Sequence, residues 1–295
     1  MEFIKAKTIM TKVKNGSEWY GVDYNMNLYR GCPHRCIYCD SRSNCYHIDN
    51  FDVVRGKENA LLILEKELSK KKIPGIIGIG AMSDTYNPLE LEYEQTRGAL
   101  KLISKYGFGV SIDTKSDLIL RDIDLLKEIN SKNGVIIKFT ITTPSDDLSK
   151  IIEPNVCISS KRLEAIKKLS DNGIFVGIMM NPVLPFITDN EEDIKNLVNL
   201  AHQYGAKFIH TYMGMTLREN QRDYYFDKLD KHFIGVKDQY IHYYKDSYNC
   251  IVPNYKRLYQ IFTEECKKYG ILYNMDDIIK AYKKEINHNE QITLF

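Results

Sequence analysis

Between residues 76 and 212 the apolar positions fall into two alternating patterns. Short, continuously apolar runs at 76–82, 108–112, 135–141, 174–180 and 207–212 read as strands covered on both faces. The segments between them, 91–106, 118–130, 160–170 and 191–204, space their apolar residues as helices do. Gly107, Asn172-Gly173 and Gly205 follow three of these helices as stop signals. An earlier helix is predicted over 57–71, with Ala60, Leu61, Leu64 and Leu68 on one face and Pro74-Gly75 beyond its end. Upstream, 19–22 and 27–30 read as short extended pieces leading into a cysteine-rich loop. Strands alternating with helices of this length imply a parallel sheet with right-handed crossovers. With the strand before the cysteines there are six β/α units, so the expected fold is α/β, a partial (β/α)6 TIM-like barrel.

Beyond Arg218 the rhythm stops. Helices are expected over 220–231, 237–245, 255–269 and 275–284, with a short apolar piece at 271–273. The chain therefore divides into an N-terminal arm (1–26), the barrel (27–217), a mainly helical C-terminal extension (218–285) and a flexible tail (286–295).

Composition narrows the class of protein. The 295 residues are 43% hydrophobic and 27% charged, as in globular proteins, and the net charge of +2 permits a nucleic-acid partner without demanding one. No apolar run is long enough to span a bilayer, and residues 1–5 contain no apolar signal core, so no membrane partner and a cytoplasmic location are expected.

Three of the seven cysteines, Cys32, Cys36 and Cys39, fall within eight residues with the spacing C-x3-C-x2-C. Three thiols so close cannot all pair with one another, whereas together they can hold a metal. A structural zinc site or an iron–sulfur cluster wants four ligands. The alternatives are a zinc knuckle completed by His34 or His47, a cluster with one iron left open, or buried free thiols.

In barrels of this kind the site lies at the carboxyl ends of the strands. That rule lists 83–88 after the second strand, with Ser83 and Asp84; Asp113, Thr114, Lys115 and Ser116 after the third; Thr140, Thr142 and Thr143 at the fourth; 181–185 after the fifth, opening on Asn181; and Tyr212-Met213 at the sixth. Turn chemistry alone also places such residues in βα loops.

The cysteine spacing, with Tyr38 just before the last cysteine, resembles the radical S-adenosylmethionine (SAM) enzymes. The resemblance implies that Cys32, Cys36 and Cys39 bind a [4Fe-4S] cluster and that SAM chelates the open iron, with Tyr38 against its adenine. It also implies reductive cleavage of SAM to methionine and a 5′-deoxyadenosyl radical, with a flavodoxin- or ferredoxin-type reductant as partner. Further segments resemble the spore photoproduct lyase-like branch: Asn27-Leu28-Tyr29-Arg30-Gly31-Cys32, Ser83-Asp84-x-Tyr86-x-Pro88-x-Glu90, Thr114-Lys115-Ser116 with Arg121-Asp122, Glu153-Pro154 followed by Arg162-Leu163, and Pro182-Val183-x-Pro185. By this resemblance Ser83, Lys115 and the polar ends of strands three to five contact SAM, and the substrate is expected to be nucleic acid, a DNA lesion foremost. The resemblance fails at one point. The lyases carry a hydrogen-donating cysteine shortly before the Ser-Asp pair, where this chain has Gly80-Ala81-Met82. Cys45 and Cys157, on predicted loops, are the candidate donors in its place.

The last five residues, Gln291-Ile292-Thr293-Leu294-Phe295, follow a polar linker and resemble the Q-x-x-L-F motif that docks repair proteins on the bacterial β sliding clamp. Gln291 would make polar contacts while Leu294 and Phe295 fill an apolar pocket.

Overall fold

A computed structural model describes residues 2–13 and 18–283. Six strands form its parallel sheet in chain order: Tyr24–Met26, Ile76–Ile79, Gly109–Thr114, Val135–Thr140, Phe175–Met180 and Ile209–Thr211. A seventh, Met10–Lys12, adds antiparallel to the first. The expected partial (β/α)6 barrel is therefore present. The residues read as strands are buried on both faces, as in Val135, Ile136, Ile137 and Phe139, which is why the sequence shows runs rather than alternation.

Helices Ala60–Leu68, Gln95–Lys105, Ile123–Lys132, Ser159–Asp171 and Glu191–Gln203 cover the outside. Local chemistry sets their ends. Asn190 accepts a hydrogen bond from the Asp193 amide at 2.8 Å, and Glu191, Glu192 and Asp193 crowd the first turn, where the helix dipole favours negative charge.

Three features differ from the sequence expectation. The first barrel strand is Tyr24–Met26, inside the segment read as an arm, and 18–21 forms a turn rather than an extended piece. The helix expected over 91–106 is two helices, Glu90–Tyr93 and Gln95–Lys105, broken at Glu94, whose φ is 46°. The break lets the buried Glu90 carboxylate turn back to accept from the Thr96 amide at 2.7 Å while receiving the Tyr29 hydroxyl and pairing with Arg121 at 3.1 Å. A seven-residue helix, Asp146–Ile152, follows the fourth strand, capped by the Ser145 hydroxyl. Two turns are too short to display a period in sequence.

The C-terminal extension comprises helices Gln221–His232, Val236–Tyr244, Tyr255–Tyr269 and Met275–Tyr282, with an antiparallel ribbon of Gly214–Thr216 on Asn249–Ile251. The last helix closes the floor of the barrel. Its Ile278 and Tyr282 are buried with Tyr20, Ile76, Ile136 and Phe208, and the Tyr282 hydroxyl donates to the Tyr20 carbonyl. No described helix is long and apolar enough to cross a membrane.

Candidate active site

The cysteine loop is fastened from several directions. Gly31 opens it with φ 81°, and a Cβ there would lie 2.4 Å from the Val53 carbonyl oxygen, so only glycine permits the loop to pass this close. The Cys32 amide donates to the Phe51 carbonyl at 2.8 Å, and the Ile37 amide donates to the Ile152 carbonyl at 2.9 Å. Asn155 Nδ2 donates to the Pro33 carbonyl at 2.8 Å, and Gln221 Nε2 reaches from the C-terminal extension to the Tyr38 carbonyl at 2.9 Å. The short helix after the fourth strand and the extension thus act together as the loop's outer support.

The second and third strands end against the same loop. Gly80, φ 103°, lies so near the third strand that a Cβ would stand 2.2 Å from the Asp113 carbonyl oxygen. Ser83 Oγ donates to the Gly31 carbonyl at 2.5 Å. Asp84 is occupied by the protein: Oδ1 accepts from Thr114 Oγ1 at 2.7 Å and the Tyr86 amide at 2.9 Å, and Oδ2 accepts from the Lys115 amide at 2.7 Å. His34 Nδ1 lies 3.6 Å from Asp84 Oδ2, and burial holds this imidazole's pKa below its usual value despite that carboxylate. Asp84 therefore organises the mouth by tying two βα loops to the cysteine loop.

These loops enclose a cavity of about 270 Å3, lined by Cys32, Cys36, Cys39, Tyr38, Ser83, Asp84, Lys115, Thr140 and Asn181. All nine residues selected from the sequence for cluster or SAM contacts thus face one space. The two candidate hydrogen donors do not line it. Cys45 is exposed, its sulfur 3.6 Å from Arg218 Nη1, and Cys157 donates to the Lys115 carbonyl from a neighbouring cavity. Gln291, Leu294 and Phe295 lie outside the described residues.

Sequence reasoning missed several residues of the wall. Trp19, the only tryptophan, lines the cavity with Phe51, Met82 and Met179, beside Asp113, which the strand-end rule does include. Beneath them, buried Lys138 pairs with Asp113 at 3.0 Å. A second omission is the pair Glu153 and Arg162, 1% and 0% exposed, which sit 2.5 Å apart. Glu153 accepts the Tyr38 hydroxyl, while Arg162 donates to the Thr140 and Cys157 carbonyls, each at 2.7 Å. Their signal in the sequence was present, since both belong to segments that resemble the lyase-like branch, but nothing there indicated a contact with Tyr38.

The donor set suits a thiolate-bound cluster. All seven cysteines are free, and Cys32, Cys36 and Cys39 share the cavity without a partner thiol. Burial raises all three thiols, Cys32 to about 12, so metal binding must displace protons. Among the described residues no three His, Cys, Asp or Glu side chains converge on a single-ion position. A cluster, whose irons take separate cysteines, does not require the sulfurs to meet at one point. Half-buried Lys115 has no carboxylate within ion-pair distance among the described residues and lies 5.9 Å over the Tyr38 ring. Burial disfavours its charge, yet Cys36, Glu153, Asp84 and Cys39 together raise its pKa, so it is a cation available to an anionic ligand.

Fold and site define an α/β-barrel enzyme with a cysteine-lined cofactor cavity at the barrel mouth. The chain belongs to the radical SAM superfamily, whose family model matches residues 26–201. Membership implies a [4Fe-4S] cluster and SAM as cofactors. An uncharacterized protein of Methanocaldococcus jannaschii is 33% identical over 213 residues, 71% of this chain and 78% of the relative. An uncharacterized protein of Mycobacterium tuberculosis is 28% identical over 229 residues, 75% and 67% of the two chains. Among solved structures, spore photoproduct lyase complexed with dinucleoside spore photoproduct superposes with a TM-score of 0.67 at 15% identity, covering 91% of this chain and 80% of that one. A variant of the same lyase with bound AdoMet and dinucleoside spore photoproduct gives 0.66 at 15% identity, over 92% and 82%. At this identity the likeness is one of fold.

Proposed function

We propose that this radical SAM enzyme abstracts hydrogen from a nucleic-acid strand, with a DNA lesion as its substrate. The observation that carries the reading is the extent of the structural likeness to spore photoproduct lyase, which covers 91% of the chain and so reaches beyond the barrel into the C-terminal extension. In this reading Cys32, Cys36 and Cys39 hold the cluster. A [4Fe-4S] cluster with SAM supplies a one-electron cleavage of the sulfonium that yields a carbon radical. Lys115 binds the carboxylate of SAM, and the Ser83 and Thr140 hydroxyls with the Asn181 amide orient the rest of it. Asp84 fixes the Lys115 backbone, and Glu153 fixes Tyr38 through its hydroxyl. Trp19, Phe51, Met82 and Met179 form the apolar wall against which a substrate sits and water is excluded.

No thiol stands just before Ser83, so in this reading the lesion need not be a thymine photoproduct. Gln291, Leu294 and Phe295 recruit the enzyme to the β sliding clamp in the same reading, and a flavodoxin- or ferredoxin-type protein reduces the cluster.

The deciding experiment is anaerobic reconstitution with iron and sulfide, dithionite reduction, and assay of 5′-deoxyadenosine with and without damaged DNA. Cys36→Ala should abolish cluster absorbance and cleavage, whereas Cys266→Ala, buried in the extension, should retain both. Transfer of deuterium from a labelled damaged strand into 5′-deoxyadenosine supports the DNA reading. Transfer from a peptide, tRNA or small metabolite instead would replace it, and zinc near one per chain without iron would replace the enzyme by an adaptor.

A further inference from the structure

Away from the cofactor cavity, the extension carries a row of exposed tyrosines that core packing does not explain. Tyr212, Tyr248, Tyr255 and Tyr259 are all exposed, at 36–42%. The ribbon organises them. Tyr248 stands just before Asn249–Ile251, its carbonyl accepting from the Leu217 amide at 2.9 Å. Tyr212 and Tyr255 flank the other end, where the Val252 amide donates to the Met213 carbonyl at 3.0 Å. The ribbon's three residue pairs separate the two ends by about 10 Å, and Tyr212 stands within electrostatic reach of both Tyr248 and Tyr255. Tyr255 and Tyr259 lie parallel, ring centroids 5.7 Å apart at 13°.

One cation is set into this row. The Arg218 guanidinium lies 4.9 Å over Tyr248 and 5.8 Å over Tyr46. Its Nε is buried without a hydrogen-bond partner, and no ion pair to it exists among the described residues, although Glu219 and Asp246 line the same cavity of about 400 Å3. A guanidinium held between aromatic faces and left without a counter-ion is prepared for an anion from outside. The row also joins the cofactor cavity. Tyr212 follows the sixth barrel strand, and two residues before it His210 packs edge-on against Trp19, 5.1 Å between centroids, which lines that cavity.

We propose that this row is a stacking platform for single-stranded nucleic acid, with bases on Tyr248, Tyr212, Tyr255 and Tyr259 and a backbone phosphate on Arg218. Stacked aromatics with an interposed arginine recognise unpaired bases without reading their sequence. The proposal rests on the nucleic-acid reading above and sharpens it: the strand enters the cavity unpaired.

The test uses the full reconstituted protein and a fluorescein-labelled oligothymidine of about a dozen nucleotides, with the matching duplex as comparison. The single strand should bind more tightly than the duplex. Tyr248→Ala and the double change Tyr255→Ala/Tyr259→Ala should each weaken it by about tenfold or more, while the corresponding Phe variants retain binding. Arg218→Gln should weaken binding and reduce the salt slope by about 0.7. SAM cleavage without nucleic acid should be unchanged in the Tyr255/Tyr259 variant, which also reports intact folding. Equal binding by the alanine variants, preference for duplex, or no binding to the single strand would overturn the platform. Binding that depends on the tyrosines, with no deuterium leaving any damaged strand, would instead keep the platform and remove the DNA-lesion chemistry.

Discussion

Glu153 and Arg162 set the accuracy of the site without lining its cavity. Burying an ion pair costs several kcal/mol per charge and is recovered only where every lone pair and proton finds a partner. Here the carboxylate accepts from Tyr38 at one oxygen and meets Arg162 at the other, which has no hydrogen bond of its own, while the guanidinium donates to two carbonyls. Removing one partner strands the other. Glu153→Leu and Arg162→Met are each expected to destabilise the protein by about 3–5 kcal/mol, and the double variant by about 2 kcal/mol less than their sum. Urea midpoints of the metal-free protein measure this, and simple additivity would show that the two side chains do not act as a pair. His210 gives a pH signature of the same kind. Burial, with Lys138 nearby, lowers its pKa to about 4, against about 6.5 in an unfolded chain. The folded state thus favours the neutral ring, so this contribution is complete above pH 6.5 and is lost as pH falls toward 4. Discounted for partial exposure it amounts to about 2 kcal/mol. Comparison of urea midpoints at pH 7 and pH 5 should show a smaller drop for His210→Gln than for the parent, and equal drops would assign the acid sensitivity to other groups.

At the scale of elements, the last helix and the turn at 18–21 form a plug under a barrel that six strands leave incomplete. Tyr282 contributes a buried ring and a hydroxyl bonded to the Tyr20 carbonyl. Tyr282→Ala should cost about 3–5 kcal/mol, as for other large aromatic truncations in a core. Because Tyr282 does not itself line the cofactor cavity, reductive SAM cleavage at low temperature should survive; its complete loss would mean that the plug, whose Trp19 lines that cavity, carries the change to the mouth. This plug marks the boundary of what the sequence made legible. The barrel strands declared themselves because burial on both faces leaves an unbroken apolar run, and the mouth residues followed from the rule that sites lie at strand ends. Trp19 and Tyr20 carried no such mark, since their role depends on contacts with His210 and Tyr282, far away in the chain. The break at Glu94 was equally hidden, because helix periodicity continues across it while the Glu90 carboxylate is claimed by Tyr29 and Arg121.

For the molecule as a whole, the proposed reading assigns cofactor chemistry and recruitment to separate parts of the sequence. Every residue assigned to cluster or SAM lies between Cys32 and Asn181, whereas the segment that resembles a clamp-binding motif, Gln291 with Leu294 and Phe295, lies more than a hundred residues further along the sequence. If the motif serves recruitment alone, the two functions must separate. Deleting 291–295 should eliminate binding to purified β clamp and leave the rate of reductive SAM cleavage unchanged. A β-clamp affinity of micromolar order, near −8 kcal/mol, is what a short peptide with two apolar anchors can supply. Replacing Leu294 and Phe295 by alanine should therefore weaken clamp binding about as severely as the deletion, while Thr293→Ala should change it little. Clamp affinity unaltered by the deletion would refute recruitment through these residues. A parallel loss of SAM cleavage would place them within the catalytic unit instead, and the division of labour between barrel and C-terminus would have to be abandoned.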